Sequence, residues 1–350
     1  MNAQEWLPLF FLFAMALSML LYVVLDGYDL GVGILFRGAS ADERERMIAT
    51  IGPFWDANET WLVLGVGILL IAFPGAHGAI LGALYLPVAL MLTGLILRGV
   101  AFDFRVKAGD GHRAWWDRAF WGGSLLASLA QGFMLGHMIT GFRADAWGYG
   151  FAVLIAVCLA AGYVLLGATW LVMKTRGELR RRAIDWARTG WWLTGIGVIA
   201  VSLATPLAST RIWHKWLALP DAFWLAPIPL ASALLFLRIH RVLATLRNDA
   251  RTRLESLAAT GVAADFPRRY RSSQPFVAAV GVFVLAFIGL AYSLYPYLLV
   301  DRLTAAEAAS STESLWMIFY GTVIVLPTIL AYSAYSYRVF WGKADELRYD

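Results

Sequence analysis

Nine long apolar runs dominate this sequence and limit the fold it can adopt. An α-helix that crosses about 30 Å of bilayer hydrocarbon needs roughly 20 mostly apolar residues. Backbone groups in lipid must bond within their own segment, and no alternating strand pattern is present, so every run is predicted to be helical. The sequence therefore predicts an all-α integral membrane protein with one polytopic domain over 1–350. Its predicted helices are 7–33, 51–73, 78–101, 119–140, 148–173, 190–209, 221–240, 274–299 and 314–340.

Composition and charge agree with a membrane protein and argue against nucleic-acid binding. Hydrophobic residues make up 60% of the chain and charged residues 15%, whereas soluble domains are about half apolar and about a quarter charged. The net charge of +5 would favour nucleic acid if the basic residues formed one face of a folded domain. They lie instead between the apolar runs, so we expect membrane lipid and not nucleic acid as the partner.

The distribution of Lys and Arg predicts the orientation. The loops after the first, third, fifth and seventh spans, together with the C-terminal tail, hold 25 of the 29 basic residues. Because positive charge is retained in the cytoplasm, the N-terminus is predicted outside and the C-terminus in the cytoplasm. The Arg-rich loop 241–273 is then cytoplasmic. Its helical spacing predicts a helix on the membrane surface, with the docking of a partner as the alternative.

Six ionisable residues lie near one side of the predicted membrane. Such residues are costly in lipid and usually mark function. The first and third spans run inward and the second runs outward, so all six are expected on the cytoplasmic side. Two pairs are three residues apart and share a helix face. The six are Asp26, Asp29, Asp56, Glu59, Arg98 and Asp103.

Two interpretations of these six residues are open. Carboxylates can pass protons inward along water chains, which predicts a site of proton uptake. Alternatively Arg98 pairs with Asp103 or Asp56, and the other residues cap helix ends. The proton role is favoured for the group and for Asp56, which lies between Trp55 and Trp61. The structural role is favoured for Asp103, close to the interface.

Histidine usage limits what this chain can ligate. Of the five histidines only His137 lies inside a predicted span, since His240, the last residue of the seventh span, borders the cytoplasmic loop. Haem usually takes axial His, Met or Cys ligands from inside a helical bundle. One embedded histidine, even near Met134 and Met138, is a weak basis for a haem or metal site. We expect His137 to pack near the outer surface and this chain to ligate no cofactor.

Five stretches carry a family resemblance. DGYDLGVG (26–33) is followed by GPFWDANETWL (52–62), RGVAFDFR (98–105), GATWLVMKTRGEL (167–179) and a last span with Tyr332, Tyr335 and Tyr337. In this order, over about residues 20–340, they resemble the second subunit of cytochrome bd-type quinol oxidases. The resemblance implies two four-helix bundles plus one extra helix, paired in the bacterial inner membrane with a homologous subunit I.

The same resemblance implies a function. In that family subunit I carries haem b and haem d, oxidises quinol and reduces oxygen to water, while subunit II ligates no haem. It also implies that Asp56, with Asp26 and Asp29, helps carry cytoplasmic protons along the subunit interface. A small accessory subunit and a quinone held in this subunit occur in some members.

The sequence departs from the family pattern at two places, and two other functions stay open. Ala57 stands where many relatives have glycine, which narrows any water path beside Asp56. The short loop between the sixth and seventh spans disfavours an outer lid over a quinone. A proton-coupled secondary transporter stays open and would be favoured by broken helices at the bilayer midplane. The other rival is a purely structural scaffold for a haem subunit.

Overall fold

The computed structural model describes residues 2–219, 221–260, 272–340 and 342–343. This part of the chain is almost entirely helical, with one short hairpin formed by β1 (Tyr297–Leu299) and β2 (Leu303–Thr304). A 3₁₀ turn, Phe36–Gly38, follows the first helix. The helices are α1 (Ala3–Leu35), α2 (Ala41–Ile51), α3 (Trp55–Ala72), α4 (Pro74–Ala83), α5 (Tyr85–Lys107), α6 (Asp110–Ile139), α7 (Ala146–Lys174), α8 (Gly177–Ala208), α9 (Thr210–Leu217), α10 (Asp221–Leu225), α11 (Pro227–Thr260), α12 (Gln274–Leu294), α13 (Ala305–Ala308) and α14 (Thr312–Val339).

Eight helices are long and apolar enough to cross a membrane, counted over the residues that the structure describes. They are α1, α3, α5, α7, α8, α11, α12 and α14. The remaining predicted span, 119–140, lies in α6, a 30-residue helix packed against α5 and α7. Its glycines, serines and Gln131 make it less apolar than the others. A ninth span, the two-bundle arrangement and the orientation of the termini therefore remain predictions.

Several helix ends differ from the predicted spans. The second span begins as α3 at Trp55, after the separate helix α2. The third is interrupted at Leu84, between α4 and α5. The eighth ends as a helix at Leu294, and the non-helical residues Tyr295 and Pro296 connect it to β1. A residue that precedes proline disfavours helical backbone, which explains this early end.

The helix predicted in loop 241–273 is present over 241–260, and its position on the membrane surface stays a prediction. Residues 241–260 continue α11 from the seventh predicted span as one helix. Val242, Leu243 and Leu246 are buried in the main core, so protein covers this first part of its apolar face. Residues 261–271 of the loop, and 344–350 of the predicted C-terminal tail, lie outside the described residues.

Helix α1 is the centre of the molecule. It packs against α3, α6 and α7, and it crosses α7 at a contact between two glycines. A methyl group added to Gly31 would lie 2.6 Å from the carbonyl carbon of Tyr163 and 2.9 Å from the backbone nitrogen of Gly167. Small residues allow such close backbone approach between membrane helices. The polar residues of α1 are therefore enclosed by its neighbours.

Helix α2 lies between α1 and α3 in the chain. Ser40 begins it with a capping box, in which its side chain bonds the Glu43 backbone and Glu43 bonds the Ser40 backbone. Its apolar face is buried in the same core as α1, at Met47 and Ile51. Arg105 of α5 links the outer face of α2 to α6, because it lies 2.7 Å from Glu45 of α2 and 2.5 Å from Asp117 of α6. Apolar side chains and ion pairs thus fill this end of the bundle.

Candidate functional site

Asp26 and Asp29 lie in the interior of the helix bundle. Both side chains are completely buried, because α3, α6 and α7 surround α1. Their spacing of three residues places them on one face of the helix. Two buried acids in a membrane helix need partners to offset the loss of water. The neighbouring helices supply these partners.

Arg98 of α5 joins two of the acids. Its side chain is 2% exposed, and Nη1 lies 2.7 Å from Asp26 Oδ1. Its Nη2 donates to the carboxylate of Glu59 on α3. The guanidinium therefore links α1, α3 and α5. The predicted structural pairing of Arg98 with Asp103 or Asp56 is wrong, since both ion-pair partners found in the described chain are other residues.

Asp29 is held by an amide rather than by a cation. Asn58 donates from Nδ2 to Asp29 Oδ2 at 2.7 Å, and the same nitrogen lies 3.0 Å from the hydroxyl of Tyr28. The Tyr28 hydroxyl is 2.7 Å from that of Tyr337, and Tyr337 donates to Asn58 Oδ1 at 3.1 Å. The last helix, α14, thereby reaches the interior acids through Tyr337.

Asp56 and Asp103 lie on the outside of the chain. Both are exposed, on α3 and α5, and their carboxylates are close enough to interact electrostatically. Asp56 is in the first turn of α3 and not deeper in the helix, because α3 begins only at Trp55. Glu59, one turn further along, is 29% exposed and bonds Arg98. The six predicted residues thus form a graded series from the exposed surface of this chain to its interior.

Sequence reasoning missed several neutral members of this network. Tyr163 donates to Gln131 Oε1 at 2.7 Å, and Gln131 donates to the Tyr22 hydroxyl at 2.6 Å. Tyr22 is one turn before Asp26 on α1. Asn58 is equally central. The amides Asn58 and Gln131 could have been predicted from the sequence, since an amide inside an apolar run must find hydrogen-bond partners. The tyrosines could not, because tyrosines of membrane proteins commonly lie at the membrane interface.

The histidine and cysteine environments do not suggest a metal centre. His137 is buried at the end of α6, where its ring stacks on Tyr149 and lies against Phe133 and Phe142. Aromatic packing therefore occupies the faces of the imidazole. Within the described ranges, no group of three or more His, Cys, Asp or Glu is arranged to hold a metal ion. Cys158 is a half-buried free thiol.

Two carboxylates outside the spans have clear electrostatic roles at helix starts. The backbone N–H of Gly148, 2.8 Å from Asp145, lowers the pKa of that carboxyl, and Arg143 lowers it further. The backbone N–H of Thr304 likewise lowers the pKa of Glu307. Both acids accept hydrogen bonds in the charged form, which favours ionisation. These groups order the ends of α7 and α13.

Comparisons with known proteins agree with this architecture. The subunit 2 of cytochrome bd ubiquinol oxidase from Bacillus subtilis is 27% identical over 341 residues, covering 91% of each chain. The subunit 2 of cytochrome bd-I ubiquinol oxidase from Escherichia coli K12 is 27% identical, covering 92% of this chain and 91% of the relative. The solved bd oxidase from Geobacillus thermodenitrificans shares the fold, with a TM-score of 0.72 at 19% identity over 95% of this chain and 98% of the matched chain.

The family match extends over nearly the whole sequence. The model of the cytochrome bd terminal oxidase subunit II family matches residues 7–340, which include all five stretches that carry the resemblance. The predicted family is therefore confirmed. Because this match covers nearly the whole sequence, the chain belongs to the cytochrome bd terminal oxidase subunit II family.

Proposed function

We propose that this chain is the subunit of a quinol:oxygen oxidoreductase that supports a haem-bearing subunit I and supplies it with cytoplasmic protons. Membership of the family supports the presence of a subunit I partner. The haems and the quinol chemistry are assigned to that partner, in the bacterial inner membrane. This chain contributes carboxylates at a lateral surface, and it performs no redox step itself.

The observation that carries the proposal is the graded exposure of the acids. Asp56 and Asp103 are exposed side by side on α3 and α5, Glu59 is partly exposed, and Asp26 is buried. An exposed carboxylate within a membrane span is unfavourable against lipid. It becomes favourable against a wet interface with another subunit. We therefore place the proton route along the face that carries Asp56 and Asp103.

The packing of α2 supports lateral rather than axial access. Met47, Ile51 and Phe54 are buried at 2% exposure or less. They lie in the same buried core cluster as Tyr28, and the ring of Phe54 packs on Trp170, which stacks on Tyr28. A proton that enters from the cytoplasm then reaches the acids most readily along the outside of α3 and α5. Glu59 is the point where that surface meets the interior.

The test is the substitution Asp56→Asn in the two-subunit oxidase. We expect quinol-driven oxygen consumption to fall by at least tenfold while haem content stays normal, because the amide keeps the shape and cannot carry a proton. Glu313→Gln is the matched control. Glu313 is exposed in the first turn of α14, and the oxidase with Glu313→Gln should retain full turnover.

Each rival function makes a different prediction. A purely structural scaffold would keep normal oxygen consumption in Asp56→Asn, and that result would overturn the proton route. A proton-coupled transporter would move a solute without subunit I and without quinol. The third predicted span is broken at Leu84, between α4 and α5, 14 residues before Arg98 on α5.

A further inference from the structure

The cluster around Asp29 contains more acids than cations. The acids are Asp26, Asp29 and Glu59. Among the described residues, Arg98 is the one guanidinium that forms an ion pair with any of them, and it pairs with Asp26 and Glu59. Asp29 is left without an ion pair in the described chain. The groups that face it are Asp26 on its own helix, Asn58 and Glu59 from α3, Arg98 from α5 and Tyr337 from α14.

The hydrogen bonds of Asp29 fit an acid better than a carboxylate. Its Oδ2 accepts from Asn58 at 2.7 Å, while Oδ1 is buried and has no partner in the part of the chain described. A buried carboxylate normally requires a cation or several donors, because an uncompensated buried charge is very costly. A neutral carboxylic acid lowers that cost, because it buries no net charge. The geometry therefore fits an Asp29 that carries a proton.

Asp29 is also connected to the lateral surface. Asp26 is three residues away on the same helix, a spacing of about 5–6 Å between β-carbons, which one bridging water can span. Asp26 contacts Arg98, and Arg98 contacts the partly exposed Glu59. The series from Glu59 through Asp26 to Asp29 ends inside the subunit. It forms a side branch and not a passage through the chain.

We propose that Asp29 stores one exchangeable proton inside this subunit, on a side branch that meets the lateral route at Glu59. The proposal rests on the proposed function, since that route supplies the proton. The proton passes from the Glu59 carboxyl to the Asp26 carboxylate and then to Asp29. Each transfer breaks one O–H bond and forms another, and no electron moves. Arg98 positions Asp26 and Glu59, and Asn58 positions Asp29.

Infrared difference spectroscopy of the two-subunit oxidase tests the store. On transfer from H₂O to D₂O, the wild-type complex should show a shift of a carboxylic-acid carbonyl band. Asp29→Asn should abolish this band, and the control Glu313→Gln should retain it. A D₂O-sensitive band of equal size in Asp29→Asn, or the absence of any such band in the wild type, would overturn the proposal.

A second variant covers the case in which Asp29→Asn does not assemble. Asn58→Ser removes the donor to Asp29 Oδ2 and keeps a polar side chain, so the carbonyl band should move to higher frequency. An unchanged frequency would overturn the proposal. The two proposals fail separately: full turnover in Asp56→Asn removes the lateral route and leaves the band as it is, whereas a band insensitive to Asp29 leaves the Asp56 result unaffected.

Discussion

Replacing Arg98 by methionine removes the one cation that the described structure places among three acids. Methionine keeps much of the volume and the flexible stem of the side chain, so packing changes little. The substitution breaks the contact of Nη1 with Asp26 at 2.7 Å and the hydrogen bond to Glu59. Asp26, which is fully buried, is left with an uncompensated charge. The variant thus isolates the electrostatic contribution of the guanidinium.

The magnitude follows from burial. Breaking a buried ion pair by removing one partner costs about 3–5 kcal/mol, because the remaining charge has lost its compensation. That loss lowers the folding equilibrium constant by roughly 10² to 10⁴. Arg113 provides the matched control: it also pairs with an acid, Glu45, but the two side chains are 38% and 46% exposed. Exposed pairs contribute about 0–1 kcal/mol.

The assay is thermal unfolding of the purified two-subunit oxidase, followed by tryptophan fluorescence. Arg98→Met should lower the transition temperature markedly, and Arg113→Met should leave it nearly unchanged. Adding Asp26→Asn to Arg98→Met should recover a large part of the loss, since it neutralises the orphaned acid. Equal stability of Arg98→Met and Arg113→Met would refute the view that Arg98 compensates buried charge.

Two further predictions concern helix packing and helix capping. Gly31→Ala should destabilise the protein by about 1–3 kcal/mol, because the new methyl group meets the backbone at Gly167 and overpacks the α1–α7 crossing; Gly67→Ala, with no atom within 4 Å of the added carbon, should be neutral or stabilising in the same thermal assay. Asp145→Ala should reduce stability at neutral pH and leave it unchanged in strong acid. The pKa of Asp145 is lowered in the folded state by the Gly148 N–H, so its contribution is present above the unfolded pKa and lost as pH falls through the folded one; a stability difference that persists in strong acid would contradict this account.

The exposed position of Asp56 and Asp103 changes what a mutational study of this subunit should compare. The interior acids Asp26 and Asp29 lie on α1, whereas the exposed acids Asp56 and Asp103 lie on α3 and α5. Substitutions at Asp56 test supply to the partner. Substitutions at Asp29 test storage, and substitutions at Arg98 test assembly. Turnover, the infrared band and thermal stability are therefore three separate measurements.

Much of this protein was predictable from its sequence. Long apolar runs in lipid have only helical solutions, because backbone groups there cannot bond to water, and eight such spans are present in the described chain. The motifs from DGYDLGVG (26–33) onward were sufficient to predict the family, which the match over residues 7–340 confirms. Helical spacing also predicted that Asp26 and Asp29 share one face.

Only the tertiary structure decided which of the six ionisable residues face inward. Asp26 and Asp56 both lie within predicted spans, yet the first is fully buried and the second is exposed. Lipid and protein interior are both apolar, so hydrophobic periodicity cannot separate a lipid-facing side from a packed side. The same limit hid the partners of Arg98 and the role of Tyr337, which lies 309 residues from Tyr28 in the chain. Contacts of this range arise from how the helices pack, and no local pattern encodes them.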